Sequence, residues 1–325
     1  MADNRCGATS GPITNLNGPR WIRNSAMTNL DNEILASREI VEVITAQRAT
    51  EGAGFPIRRP FPTAQLDNLD PFLMLDEVGP VDWPPGEAKG APDHPHRGFE
   101  TISYLLSGEK LHEDSNGDHQ IMRPGDVQWM TAGSGIIHSE MPSPAMIAAG
   151  GRAHSFQIWV NLPAKHKMDG QRYQFIANDA MPLGQSEDSL VTVKVIAGEA
   201  FGVAAGIDTY VPVTLQDWTM QPGSQAQPTT PREQQMALYL FQGTLLAGPN
   251  SQMVNDGQLV IFSAGEAIDL ALDAGAAEPA RFLLFGGKPI GEPIARYGPF
   301  VMNTREELVQ AFDDYQSGKM GTIAR

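Results

Sequence analysis

The feature that most constrains the fold of this chain is its punctuation. Glycine and proline, 33 and 25 residues of 325, recur along nearly the whole length, and the segments between them are short and apolar. Runs of this length bounded by turn residues are read as strands rather than helices. Residues 99–113 (FETISYLLSGEKLHE), 120–142 (QIMRPGDVQWMTAGSGIIHSEMP) and 155–168 (SFQIWVNLPAKHKM) set the rhythm. It begins again in LVTVKVIAGEAFG, ALYLFQGTLLAG, QLVIFSAGEAIDLAL and ARFLLFGG. LYLFQGTLLAG echoes YLLSGEKLH, and DGQLVIFSAGE echoes PGDVQWMTAGS. A chain of this length exceeds the usual single core. The duplicated grammar predicts an all-β protein of two barrels.

Local signals divide the rest. Residues 1 to about 32 are rich in Asn, Gly, Thr and Ser without a sustained period, which predicts a leader or arm. REIVEVITAQ, Arg38–Gln47, suits a strand or a short helix, and EGAGFPIRRPFP after it suits neither because of its Gly and Pro. PFLMLDEVG, Pro71–Gly79, reads as a buried strand stopped by glycine, and residues 81–93 as a loop placed to rim a cavity. TREELVQAFDDYQ near the C-terminus reads as a helix, with Thr304 and Glu307 at capping-box spacing and Leu308, Phe312 and Tyr315 on one face. The expected layout is a leader over 1–37, a first barrel over 38–172, and a second over 173–325 that carries the helix.

Thirty-eight acidic against 23 basic residues give a net charge of -15, a surface that repels phosphate backbones and anionic lipid. Direct nucleic-acid binding and membrane association are therefore not expected. The single cysteine, Cys6, excludes an internal disulfide and a thiolate cluster. Without a signal-peptide pattern or a long apolar run, the expected compartment is the cytoplasm.

All seven histidines, at 94, 96, 112, 119, 138, 154 and 166, lie in the first part of the chain, so a metal centre is expected there. Residues two apart on a strand point the same way, so His94 with His96, and His138 with Glu140, can present four ligands to one cavity. Glu100 competes as fourth ligand, because it shares the face of His96 if the strand runs straight and leaves it if Gly98 hosts a bulge. His112 and His119 sit beside a polar turn, and His154 and His166 lack a partner at strand spacing, so none of the four is expected to touch the metal. Nitrogen and oxygen donors of this kind suit Fe, Mn, Co, Ni, Cu or Zn.

The runs DHPHRGFETISYLL and RPGDVQWMTAGSGIIHSEMP closely resemble the signature of the pirin family within the cupin superfamily. GAGFPIRRPFP, DPFLMLDEVGP and IGEPIARYGPFVMNTREELVQAF agree with it. The resemblance spans about residue 38 to the C-terminus. It implies two packed cupin jelly-roll barrels, of which only the first holds a metal, Fe(II), through His94, His96, His138 and Glu140. By the same resemblance Glu100 is displaced as a ligand, and the absence of histidine after residue 166 agrees with a metal-free second barrel.

Several pirin-like proteins are quercetinases, so the resemblance implies quercetin 2,3-dioxygenase activity. A flavonol and dioxygen would be the substrates, carbon monoxide would be released, and Glu140 would serve as ligand and base. Two other classes compete. One is an iron- and redox-dependent module that binds a protein partner as a transcriptional or metabolic co-regulator; the other is a cupin whose metal is structural.

Overall fold

The computed structural model describes residues 35–325. The expected leader, but for residues 35–37, and Cys6 lie outside the described residues. The strands of the first half are β1 (Ile40–Thr45), β2 (Gln47–Glu51), β3 (Phe55–Phe61), β4 (Phe72–Trp83), β5 (Ala91–His96) and β6 (Phe99–Ser107). They continue with β7 (Lys110–Asp114), β8 (His119–Met122), β9 (Val127–Thr131), β10 (Ile136–Pro142), β11 (Gly151–Asn161) and β12 (Arg172–Ile176). A seven-stranded sheet in the order β12-β9-β6-β11-β4-β3-β2 and a four-stranded sheet in the order β5-β10-β7-β8 make the first barrel.

The second barrel repeats this plan with a seven-stranded and a four-stranded sheet. The sequence echo is kept in register: Tyr104 stands opposite Val127 in the first barrel, and Tyr239 opposite Leu259 in the second. The fold is all-β, two cupin barrels packed together, with a short C-terminal helix over Arg305–Gln316.

The two seven-stranded sheets meet face to face. One buried apolar cluster joins Ile102, Tyr104, Trp129, Phe156 and Ile158 of the first to Leu215, Tyr239, Leu259, Leu283 and Phe285 of the second. Each such side chain contributes about 1.5–3 kcal/mol by leaving water. Two hydroxyls cross the layer: Tyr104 donates to Asp217 at 2.5 Å and Tyr239 to Glu77 at 2.7 Å. Arg281 also bonds Asp217, while His154 and Arg58 bond Glu77. Burial, then the adjacent carboxylate, holds both phenols far above their ordinary pKa, so they remain donors.

Alternation sorts the first barrel's side chains. On β6, Ile102 and Tyr104 join the layer between barrels, which turns Thr101 and Ser103 inward; on β9, Val127 and Trp129 join it, which turns Gln128 inward. The second barrel's interior is aliphatic and aromatic, built from residues such as Val193, Leu238, Val260, Ile268 and Phe282. Sequence repeats in the two halves thus enclose different contents.

Both ends of the described chain cross over. β1 pairs with Gln258–Phe262 of the second barrel, although its sequence was assigned to the first; Arg38, buried, bonds Thr230, Gln234, Ser263 and Pro231 there. The C-terminal helix, assigned with the second barrel, packs on the first. Asp314 lies 2.9 Å from Arg97, and Arg325 bonds Asp93 and Glu113. The capping box at Thr304 and Glu307 is formed as expected.

Three local expectations are corrected. EGAGFPIRRPFP contributes the end of β2 and all of β3, because Pro56 begins near the strand's end and Pro60 falls where the register shifts, between Arg58 and Phe61. Gly79 does not stop β4: at φ 81° it bulges, and pairing resumes at Val81 opposite Ala153. The loop expected over 81–93 is accordingly confined to 84–90, since β11 holds β4 as far as Trp83 and Ala91 opens β5.

Removing either crossing hydroxyl should loosen the barrel pair. Tyr104→Phe and Tyr239→Phe are each expected to lower unfolding free energy by about 1–2 kcal/mol, read from urea transitions. Unchanged midpoints would show that these bonds do not hold the layer.

Candidate metal centre

β5 and β10 are antiparallel neighbours, with His94 directly opposite His138 and Ile136 opposite His96. The ring centres of His94 and His96 are 4.7 Å apart, those of His94 and His138 4.3 Å, and those of His96 and His138 4.9 Å. One nitrogen from each of the three lies within 4.8 Å of the others. The sequence expectation that these imidazoles face one space is met.

Backbone carbonyls, which can only accept, set two tautomers. His94 Nδ1 donates to Pro92 O at 2.7 Å and His96 Nδ1 to Pro299 O at 3.3 Å, which leaves each Nε2 lone pair open. Both nitrogens of His138 are buried without any hydrogen-bond partner. An imidazole in that state is costly unless something binds it. Burial, then repulsion from the neighbouring histidines, pushes His138 well below its ordinary pKa and His96 down to about 3. Imidazole nitrogens that converge in this way, those of His138 with no other partner, are the donors a divalent metal requires, so the residues fit one.

Glu140 stands beside this cluster. The register shifts between His138 and Glu140, which brings Glu140 opposite Ala91. Its carboxylate accepts from Ser103 Oγ and lies 3.3 Å from Lys110 Nζ. Burial alone would raise its pKa; Lys110, the Ser103 bond and nearby imidazoles outweigh burial and hold it at about 2.

A cavity of about 590 Å³ opens onto His94, His96 and Glu140, with Met74, Val78 and Trp159 among its apolar walls. Trp83, at the end of β4, and residues 88–90 of the loop after it rim it, as expected for the segment 81–93. His138 lies deeper than this lining.

Glu100 is placed elsewhere. Gly98, at φ 87°, breaks the parity between β5 and β6, and a Cβ there would lie 2.0 Å from Val301 O. Glu100 therefore accepts from Thr131 Oγ1 at 2.7 Å, with Arg172 3.8 Å away, outside the histidine cluster.

The other histidines separate by environment. His112 is buried behind His138, ring centres 5.4 Å apart, between Asp114 and Gln128. His154 belongs to the layer between barrels, His166 bonds Asp169, and His119 is exposed. Sequence reasoning did not find Ser103, Lys110 or the Pro299 carbonyl. The first two were simply strand residues, and the third stands 203 positions from His96; its only signal was the IGEPIARYGPFVMN run.

Two jelly-roll barrels with a histidine centre in the first define a bicupin with one candidate metal site. Family models agree: the pirin model matches residues 54–160 and the pirin C-terminal cupin domain matches 215–321. A pirin-like protein of Solanum lycopersicum is 40% identical over 285 residues, 87% of this chain and 93% of that protein. The chain belongs to the pirin family. A quercetin 2,3-dioxygenase structure from Acinetobacter baumannii superposes with a TM-score of 0.83 at 33% identity, covering 89% of this chain and all of that one. The bacterial pirin YhhW of Escherichia coli, solved in complex with nickel(II), shares the fold at TM-score 0.55 and 18% identity, covering 79% of this chain and 100% of that one. Among the described residues no helix is long and apolar enough to cross a membrane.

His138→Ala is expected to weaken nickel binding by roughly 100-fold or more, since even residues behind metal ligands contribute 10–100-fold. His166→Ala should leave it unchanged; calorimetry with the metal alone distinguishes them, and equal losses would remove His138 from the site. Burial raises the Glu100 carboxyl to about 7 from 4.5, outweighing Thr131 and the other groups that lower it. The folded state then keeps a proton that the unfolded state releases, so stability should fall as pH rises through that interval, by about 3 kcal/mol in all. Urea transitions across the interval should show this slope in the parent and not in Glu100→Gln.

Proposed function

We propose that this chain binds one divalent metal, iron(II) in its native state, through His94, His96, His138 and Glu140, and cleaves flavonols such as quercetin. Dioxygen would be inserted across C2 and C3, with carbon monoxide released. The observation that carries the reading is the set of three converging imidazoles beside an apolar-walled cavity, with both His138 nitrogens unpartnered. Similarity to the Acinetobacter quercetin 2,3-dioxygenase supports the same reaction class.

The bound metal supplies Lewis acidity toward an oxygen donor and an electron route to dioxygen. The protein residues supply the rest. Pro92 and Pro299 orient His94 and His96, so no ring has to turn when the site is filled. Met74, Val78 and Trp159 offer apolar surface to aromatic rings and displace water from the reacting end. Glu140 lines the cavity, where it can take the proton of a substrate hydroxyl whose own acidity is raised at the site. Lys110 and Ser103 fix that carboxylate.

Metal analysis of protein purified without added metal, followed by an aerobic quercetin assay on the same sample, tests the reading. Oxygen uptake, loss of flavonol absorbance and carbon monoxide should appear together, and His94→Ala should lose roughly 100-fold or more in rate. Full turnover by His94→Ala, or metal-replete protein without oxygen uptake, would overturn it.

A further inference from the structure

The cavity's charges are almost all matched. Glu51 and Asp76 share Arg59, Glu140 holds Lys110, Asp93 holds Arg325, and Glu109 lies 3.8 Å from Arg123. Arg296 differs. It lines the same cavity and is half-buried, yet among the described residues no carboxylate lies within 4.0 Å of it. Its contacts are one bond from Nη1 to Leu73 O at 3.1 Å and a cation–π contact, with the guanidinium carbon 5.0 Å from the Trp159 ring centre. A guanidinium carries five donors, so most of its fork remains open.

Arg296 also stands near the histidine cluster. Its hairpin, Ala295–Tyr297 with Phe300–Met302, is anchored on the first barrel by the Arg97 to Phe300 bridge and carries Pro299, whose carbonyl orients His96. Trp159 packs edge-on against His96 at 5.2 Å. The two legs through Trp159, 5.0 and 5.2 Å, limit the separation of the guanidinium carbon from the His96 ring centre to about 10 Å. One ring, or two fused rings, can bridge such a distance. Burial, then repulsion from Arg59, lowers the Arg296 pKa, so an incoming anion relieves a strained charge.

We infer that Arg296 is a specificity-determining residue that binds a carboxylate at the far end of the substrate, and that the preferred substrates are aromatic oxygen chelators bearing that second, anionic group. The inference deepens the proposed dioxygenase function and rests on it for the metal end alone. Quercetin, which has no carboxylate, would engage the centre and leave Arg296 unused. Guanidinium and carboxylate match as parallel donors and acceptors, and a charged hydrogen bond contributes enough to change affinity tenfold or more.

Calorimetry on the nickel-loaded full chain, with catechol and 3,4-dihydroxybenzoate as probes, tests this. The parent protein should bind the carboxylate probe roughly tenfold or more tightly than catechol. Arg296→Gln should erase the preference while catechol affinity stays unchanged, and Arg296→Lys should keep part of it. A parallel arm on chelator-stripped protein compares benzoate with benzyl alcohol, where the same preference and the same loss should appear. If neither catechol nor dihydroxybenzoate gains from nickel, the metal-centre reading fails, and the benzoate arm still decides Arg296. A preference that survives Arg296→Gln, equal weakening of both probes, or no preference in the parent overturns the inference. If Arg296→Gln loses its cooperative unfolding, the parent and Arg296→Lys decide between the outcomes.

Discussion

Everything in this molecule depends on the apolar layer in which two seven-stranded sheets press together. That layer buries one face of each large sheet and gathers side chains from both barrels into a single cluster. With it in place, and with the second barrel filled by aliphatic and aromatic side chains, the first barrel's interior is released from being a hydrophobic core. Polar strand positions such as Thr101, Ser103 and Gln128 can therefore turn inward, and a set of buried histidines can stand among them. Burial of unpaired imidazoles is unfavourable in isolation. It persists where surrounding packing over-determines the strands that carry them.

The crossover of the chain ends makes the two halves one unit. β1 completes the second barrel's large sheet, and the C-terminal hairpin and helix close over the first. The metal end is consequently built from both family-model regions. Pro299 and Arg296, in the region matched by the C-terminal cupin domain, orient a histidine and line the cavity of the N-terminal one. The second barrel's lack of histidine thus does not make the second half of the chain inert. It contributes the wall opposite the histidines.

Electrostatics divide the site into two halves with different preparation. His96 and His138 are driven to neutrality by burial and by the neighbouring histidines, a state suited to a cation. Glu140 is driven to ionisation because Lys110 and Ser103 outweigh its burial. Around them, nearly every cavity carboxylate already has its cation, which leaves Arg296, and Lys89 at the exposed rim, without a carboxylate among the described residues. A cavity arranged in this way has two unlike ends, a histidine cluster at one and an open guanidinium at the other.

Much of this was legible in the order of residues. Gly and Pro punctuation revealed the β class, the YLLSG and YLFQG echo revealed the duplication, and the two-residue spacing of HPH revealed that His94 and His96 share a face. Periodicity and turn chemistry are local, so a sequence displays them directly. The placing of Glu100 outside the histidine cluster needed the fold, because Gly98 turns the chain between two sheets and parity cannot be carried across such a break. β3 was missed for a related reason: prolines forbid pairing only where a donor is required, and which donors are required is a property of neighbouring strands. The exchange of chain ends, the Pro299 carbonyl behind His96 and the open guanidinium of Arg296 belong wholly to tertiary structure. They join residues some two hundred positions apart, and only packing decides which distant segments meet.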